Sequence, residues 1–136
     1  MIAVIDYGVG NLFSLKSSFA AIGREAIVTG DPETIRRASI AMYEGEINMV
    51  IHADGGTITV EFSPEFILIV LADKGPGIKD INLAMSEGYS TASENVRSLV
   101  FGAGMGLPNM KRYTDDMKIE SQVGVGTTIT MRVNII

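Results

Sequence analysis

The sequence predicts an α/β domain, because β-branched apolar runs alternate with segments whose apolar residues recur at helical spacing. With 136 residues, the chain has the length of about one domain. Its hydrophobic fraction of 46% is sufficient for a core and excludes wholesale disorder. We therefore expect a single domain over residues 1–136.

The first elements are predicted to be a strand, a helix and a second strand. Residues 2–7 are apolar and β-branched, and a glycine-containing turn follows them. Asn11 is a suitable N-cap for a helix whose apolar residues recur every three or four positions. These residues are Leu12, Leu15, Phe19 and Ile22. Gly23 ends the helix and 26–28 form a short strand, so we expect the helix to bury its stripe beside the next helix.

A long helix should begin at Pro32, because Asp31 is a good N-cap and proline suits the first helical position. No further proline interrupts it before about Ala53. Gly45 lies inside this helix and costs about 1 kcal/mol relative to alanine. A structural reason for glycine is therefore expected at position 45.

The remaining strands are predicted from alternation and from an apolar run. Residues 57–62 alternate between apolar and polar, which is typical of a half-buried strand. Residues 66–71 are apolar on both faces and predict a central strand. Residues 117–121 and 127–135 flank a glycine-containing turn and predict a hairpin with one wet face.

Composition excludes several classes of function. Sixteen acidic residues against eleven basic ones leave a net charge of −5, so we expect no nucleic-acid binding. The absence of cysteine excludes disulfides and thiolate chemistry, and the single histidine, His52, argues against a zinc site. The apolar run 66–72 is too short to span a membrane, and no basic leader precedes an apolar stretch. We expect a cytoplasmic protein without membrane association.

Four short motifs carry candidate chemistry, although each alone has an ordinary structural explanation. On the long helix, Glu44, Asn48 and His52 share one face, which by itself is typical of a solvated polar stripe. Asp73 follows the central strand and opens the segment DKGPGI. An acid followed by glycines can accept a hydrogen bond from a ligand that lies on the backbone, but an isolated motif of this kind is usually a turn.

The other two motifs are also weak when taken separately. The segment GAGMGL at 102–107 precedes a predicted helix, where backbone N–H groups can bind phosphate. It matches neither the Rossmann nor the P-loop pattern. Gly126 and Thr127 begin the last strand and have significance only in combination with the other motifs.

In this order, the four motifs resemble the ATP-binding fold shared by DNA gyrase, heat-shock chaperones, histidine kinases and mismatch-repair ATPases. In that superfamily a helix carries E-x-x-x-N, a strand ends in D-x-G-x-G, a lid leads to G-x-G-x-G, and G-T follows. The segments NMVIHA (48–53) and GYSTA (88–92) look most like bacterial anti-sigma regulatory factors with serine-kinase activity. The resemblance covers about residues 35–136. It implies a Bergerat-type two-layer α/β sandwich with one mixed sheet and helices on one face.

The resemblance implies a role for each matching residue. Asn48 would bind magnesium through its side-chain oxygen, and Glu44 would polarise the attacking water or serine hydroxyl. Asp73 would accept a hydrogen bond from the adenine amino group, with Thr127 assisting through a water. The remaining expected contacts are with the adenine ring or the phosphates and involve Gly75, Gly77, Gly102, Gly104 and Gly106.

The family resemblance also implies cofactors, partners and a lid. ATP or ADP and Mg²⁺ are the expected cofactors, and a sigma factor or an anti-anti-sigma protein is the expected partner, with homodimerisation left open. The lid would be 85–101, where Arg97 is either a phosphate contact or a solvated side chain. The implied activity is that of a serine-protein kinase or slow ATPase. The alternatives are a nucleotide-binding module without turnover, and a chimera that folds but lacks the partner function.

Residues 1–38 resemble a different family, the glutamine amidotransferase subunit of imidazole glycerol-phosphate synthase. The likeness rests on MIAVIDYGVGN (1–11) and GDPE (30–33), and it fades near Arg37. That family's catalysis requires a cysteine, which this chain lacks, so no glutaminase activity is expected. The hypothesis is a chimera in which this β-α-β segment supplies the first elements of the ATPase-like domain. Chance similarity among α/β proteins is the alternative.

Overall fold

A computed structural model describes residues 2–6, 10–29, 31–86 and 105–135. The helices and strands in these ranges are β1 (Ile2–Ile5), α1 (Leu12–Ala21), β2 (Ala26–Thr29), α2 (Pro32–Ala53), β3 (Thr57–Phe62), β4 (Phe66–Ala72), α3 (Ile81–Ala84), α4 (Gly106–Arg112), β5 (Asp116–Gln122) and β6 (Gly126–Asn134). Their succession confirms the predicted α/β class. None of these helices combines the length and the apolar character that crossing a lipid bilayer requires.

The described strands are divided between two sheets, whereas a single mixed sheet was expected. The main sheet has the order β3-β4-β6-β5, and every neighbouring pair in it is antiparallel. β1 and β2 pair in parallel as a separate two-stranded sheet, with Ile2 opposite Ala26. The reason is local, because the α1 crossover returns the chain beside β1 and lets β2 satisfy its backbone groups there.

The core lies on one face of the main sheet. Ile67, Ile69 and Leu71 of β4 are at most 4% exposed and alternate with less buried residues. Their partners across the sheet are equally buried residues of β6, namely Val133, Met131 and Ile129. Helices α2 and α4 pack against each other over this face and contribute side chains to the same cluster. The predicted two-layer arrangement, with helices on one face, is confirmed for the described residues.

Gly45 allows α2 to lie close to the sheet. A Cβ at this position would lie 2.5 Å from Cδ2 of Leu71, which is closer than two carbon atoms can approach. The same face of α2 carries the buried Ala38 and Ala41. The mid-helix glycine is therefore explained by packing.

The amino-terminal helix differs from the prediction in its surroundings. Asn11 caps α1 as predicted, and its side chain accepts a hydrogen bond from the Ser14 N–H at 3.0 Å. α1 packs mainly against β2, and none of its residues is buried. Within the predicted stripe, Leu15 is 44% exposed and Ile22 is 71% exposed. The expectation that α1 buries this stripe beside α2 is wrong, because α1 follows the separate β1–β2 sheet.

Candidate functional site

A cavity of about 600 Å³ lies between α2, the segment after β4 and the start of α4. Its volume falls in the range of small-molecule sites, roughly 300–1,000 Å³. It is lined by Asn48, His52, Ala53, Asp73, Pro76, Gly77, Ile78, Lys79, Asp80, Leu83, Ala84, Gly106, Leu107 and Thr127. The fold thus brings residues of all four sequence motifs to one cavity.

The other predicted site residues have different positions. Glu44 and Gly75 do not line the cavity. The Gly75 N–H donates to Asp73, which does line it. A Cβ on Gly75 would lie 2.6 Å from the Ala53 Cβ, so glycine is needed where this segment passes the end of α2. Gly102 and Gly104 lie outside the described residues, as do 87–101 of the predicted lid, including Arg97.

The Asp73 carboxylate is fixed at the cavity by two backbone donors. Its Oδ1 accepts hydrogen bonds from the Gly75 N–H at 2.8 Å and from the Thr127 N–H at 3.2 Å. The Asp73 N–H in turn donates to the Thr127 carbonyl at 2.9 Å. Among the described residues, no hydrogen bond reaches Oδ2. One carboxylate oxygen can therefore accept a hydrogen bond from a ligand.

The segment after β4 is docked on the β5–β6 hairpin. The Gly124 N–H donates to the Pro76 carbonyl at 2.8 Å, and the Ile78 N–H donates to Ser121 Oγ at 2.8 Å. Gly77 has a φ of +76°, and a Cβ there would overlap the backbone carbonyl of Gln122. A side chain at position 77 would thus point at the hairpin. Contact with the hairpin is sufficient to explain the glycine, and no bound adenine ring is needed to account for it.

Thr127 contacts Ser121, a residue that belongs to none of the four sequence motifs. Its Oγ1 lies 2.8 Å from Ser121 Oγ, and Thr127 is only 7% exposed. Ser121 Oγ also lies 3.3 Å from the Gly126 carbonyl, to which it can donate. The only sequence signal for Ser121 was its alternation on β5 with exposed neighbours such as Glu120.

Glu44 lies beside the start of α4. Its Oε1 accepts a hydrogen bond from Asn109 Nδ2 at 2.9 Å, a contact between residues too distant in sequence to be predicted. Its Oε2 lies 3.8 Å from the position that a Cβ of Gly106 would take. The N-cap Met105 contributes no side-chain hydrogen bond, and no side chain of another described residue caps the first N–H groups of α4. A carboxylate therefore lies beside the start of α4, where Gly106 lines the cavity.

Asn48 and His52 follow Glu44 along α2, and both line the cavity. The Asn48 side chain forms no hydrogen bond with a described residue, so its amide oxygen can serve as a ligand. Burial lowers the pKa of His52, and the Asp73 carboxylate opposes this shift by favouring the charged form. In the described ranges, no group of three His, Cys, Asp or Glu side chains could hold a metal ion. The donors present fit a magnesium ion carried mainly by phosphate oxygens and water.

The remaining lining combines apolar side chains with a lysine. Ile78, Leu83 and Leu107 supply apolar surface that a flat ring can cover. The exposed Lys79 also lines the cavity and is a candidate phosphate contact besides the predicted Arg97. The site therefore offers apolar surface, hydrogen-bond acceptors and positive charge.

Two comparisons cover most of the chain. Residues 35–135 match the family described as histidine kinase-, DNA gyrase B- and HSP90-like ATPase. The serine/threonine-protein kinase RsbT of Bacillus subtilis is 30% identical over 121 residues, covering 89% of this chain and 80% of that protein. The anti-sigma F factor of Clostridium novyi is 31% identical over 128 residues, covering 88% of this chain and 86% of that protein. These findings confirm the resemblance drawn from the four motifs.

A shorter similarity points to the second predicted family. Imidazole glycerol phosphate synthase subunit HisH 2 of Methanococcus maripaludis is 51% identical over 45 residues. That stretch is 33% of this chain and only 22% of the synthase subunit. The family match, by contrast, takes in every described residue that the four motifs contribute to the cavity. The chain belongs to the family of histidine kinase-, DNA gyrase B- and HSP90-like ATPases.

Proposed function

We propose that the cavity binds ATP with magnesium, in a regulatory protein of the anti-sigma type. The observation that carries this proposal is the Asp73 carboxylate, whose Oδ1 is held by two backbone donors while Oδ2 can accept from a ligand. Adenine presents an amino donor where guanine presents a carbonyl oxygen. An unpaired buried acceptor costs about 1–3 kcal/mol, so the carboxylate would favour adenine by roughly tenfold or more.

The phosphates would extend from Asp73 toward the start of α4. Gly106 lines the cavity there, and the first N–H groups of α4, which no described side chain caps, would favour negative charge. Gly102 and Gly104 would complete the phosphate contacts. Asn48 would hold magnesium through its amide oxygen, since the rest of the coordination shell can come from phosphate and water. The bound ion would neutralise charge on the transferred phosphoryl group.

The finer proposal is that ATP is turned over, either as a protein-serine kinase or as a slow ATPase. Two relatives are named as a serine/threonine-protein kinase and as an anti-sigma factor, which supports this reading. Glu44 would be the general base, because its Oε2 faces the start of α4 while Asn109 holds its Oε1. The expected partner is a cytoplasmic sigma factor or an anti-anti-sigma protein that carries the acceptor serine.

A second candidate function is nucleotide binding without turnover. The specific observation in its favour is that Glu44 does not line the cavity, whereas Asn48 and Asp73 do. A base outside the cavity could contact the attacking group only from the α4 side. The two candidates differ in turnover and agree in ATP binding.

We also propose that residues 1–38 are a segment of amidotransferase type that supplies β1, α1 and β2 without catalysis. The similarity over 45 residues to a synthase subunit supports this origin. The separate β1–β2 sheet is consistent with a unit added to the family's own sheet. Residues 1–136 would then form one ATPase-like domain whose first three elements are of amidotransferase type.

The substitution Asp73→Asn tests the proposed base contact. Asparagine keeps one oxygen for the Gly75 and Thr127 donors, but it replaces Oδ2 with an amide donor. We expect ATP affinity to fall by about tenfold or more, while the preference for GTP rises. Calorimetric titration of both nucleotides measures the change, and Asp116→Asn, an exposed position outside the cavity, is the matched control. Unchanged affinities in Asp73→Asn would contradict the proposal.

A further inference from the structure

Ser121 lies directly behind the cavity and touches three residues that shape the end occupied by Asp73. Its Oγ accepts a hydrogen bond from the Ile78 N–H at 2.8 Å and lies 2.8 Å from Thr127 Oγ1. It also lies 3.3 Å from the Gly126 carbonyl. Ile78 and Thr127 line the cavity, whereas Ser121 does not. Any effect of Ser121 on a ligand must therefore act through its neighbours.

The direction in which Ser121 donates its single hydroxyl proton determines whether the Thr127 hydroxyl donates to Ser121 or accepts from it. If Ser121 donates to the Gly126 carbonyl, its two lone pairs accept from the Ile78 N–H and from the Thr127 hydroxyl. This arrangement satisfies all three contacts. The reverse polarity, with Ser121 donating to Thr127, leaves the contact with Gly126 without a proton. The first arrangement is therefore favoured. In it, the Thr127 hydroxyl donates its only proton to Ser121 Oγ.

We propose that Ser121 is a positioning residue that makes the Thr127 hydroxyl an acceptor, and thereby selects a purine with a 6-amino group over one with a 6-carbonyl. This inference rests on the proposed function, namely ATP in this cavity. Asp73 Oδ2 and Thr127 Oγ1 would then both be acceptors at the base end of the cavity. A 6-carbonyl placed directly against these atoms would face two acceptors and would remain unsatisfied.

The test compares ATP with ITP, whose base carries a 6-carbonyl in place of the 6-amino group. We expect the wild-type protein to bind ATP about tenfold or more tightly than ITP. In Ser121→Ala, the Thr127 hydroxyl loses its acceptor and can donate to the carbonyl of ITP. The Kd for ITP divided by the Kd for ATP should therefore fall by about fivefold. Ser121→Thr keeps the hydroxyl and should restore the wild-type ratio. If Ser121→Ala does not fold, Ser121→Cys replaces it, because a thiol is a weak acceptor.

A double-mutant cycle separates positioning from a structural effect. In a Thr127→Val background, Ser121→Ala should leave the ratio unchanged, because Ser121 acts only through the lost hydroxyl. If the alanine and cysteine variants weaken ATP and ITP by the same factor, the ratio stays at its wild-type value and the role of Ser121 is overturned. Failure of the wild-type protein to bind ATP would instead overturn the proposed function itself, and this inference with it.

Discussion

Glycines at positions 77 and 126 let the segment after β4 lie directly against the β5–β6 hairpin. Both have positive φ values, +76° and +148°, and a Cβ at either one would overlap a backbone carbonyl. The overlapping groups are the carbonyls of Gln122 and Asp73. Because this contact brings Asp73 to Thr127, the two glycines determine the shape of the cavity at its proposed base end.

The first prediction compares Gly77→Ala with Gly124→Ala. Both positions have left-handed φ values, which cost an L-residue about 1–2 kcal/mol. Only Gly77 also meets backbone atoms, since nothing lies within 4 Å of a Cβ on Gly124. We expect Gly77→Ala to reduce the free energy of unfolding by about 1–3 kcal/mol more than Gly124→Ala. Urea denaturation measures the difference, and equal losses would show that the hairpin does not constrain Gly77.

The second prediction concerns Glu44, the proposed general base on α2. Glu44→Gln keeps an acceptor for Asn109 but removes the basic carboxylate beside Gly106. We expect ATP affinity to be retained while turnover falls by about 10² or more. Glu46→Gln is the matched control, because Glu46 is exposed on another face of α2.

Phosphate release and phosphotransfer to serine peptides measure turnover in these variants. A binding-only module would show no turnover in the wild-type protein and no change in Glu44→Gln. If Glu46→Gln abolished activity while Glu44→Gln did not, the assignment of the helical motif would be wrong. The substitution therefore distinguishes the two candidate functions.

The long helix and the strands of the main sheet were predictable because their sequence signals are local. The bounds of α2 and β3 match the prediction, since the Asp31 cap, Pro32 and the alternation of 57–62 are each encoded within one element. The partner of α1 was not predictable in the same way. An apolar stripe shows that a helix has an apolar face, but it does not show which sheet the helix contacts.

The third prediction follows from the different burial of α1 and α4. Phe19 on α1 is only partly buried, whereas Met110 on α4 is fully buried in the core. We expect Phe19→Ala to reduce the free energy of unfolding by about 1 kcal/mol, and Met110→Ala by about 2–5 kcal/mol. Chemical denaturation of both variants provides the comparison. A larger loss for Phe19→Ala would mean that α1 packs into the main core.

At the scale of the whole molecule, the sequence predicted which residues lie near one another, but it did not predict the hydrogen bonds that hold them in place. Asn48, Asp73, Gly106 and Thr127 come from distant motifs and line one cavity. The order of the motifs made this predictable. Ser121 and the contact between Glu44 and Asn109 were not predictable, because a lone polar residue on a strand or helix resembles an ordinary surface position.

The molecule as a whole is proposed to be an ATP-dependent regulator, and its cavity is built from α2, α4, β6 and the segment after β4. All residues that line the cavity lie within 35–135, the range that matches the ATPase family. Because the cavity depends on contacts among these elements, ligand binding should require the intact main sheet. Binding of the nucleotide by the full chain is therefore the property on which the other proposals depend.

Calorimetric titration of the full chain with ATP and GTP, each with and without magnesium, tests this claim most directly. We predict that ATP binds in a magnesium-dependent manner, because Asn48 contributes only one oxygen ligand and phosphate must supply others. We also predict that GTP binds about tenfold or more weakly, because its carbonyl would face the Asp73 carboxylate. Equal affinity for ATP and GTP, or no binding of either nucleotide, would contradict the account.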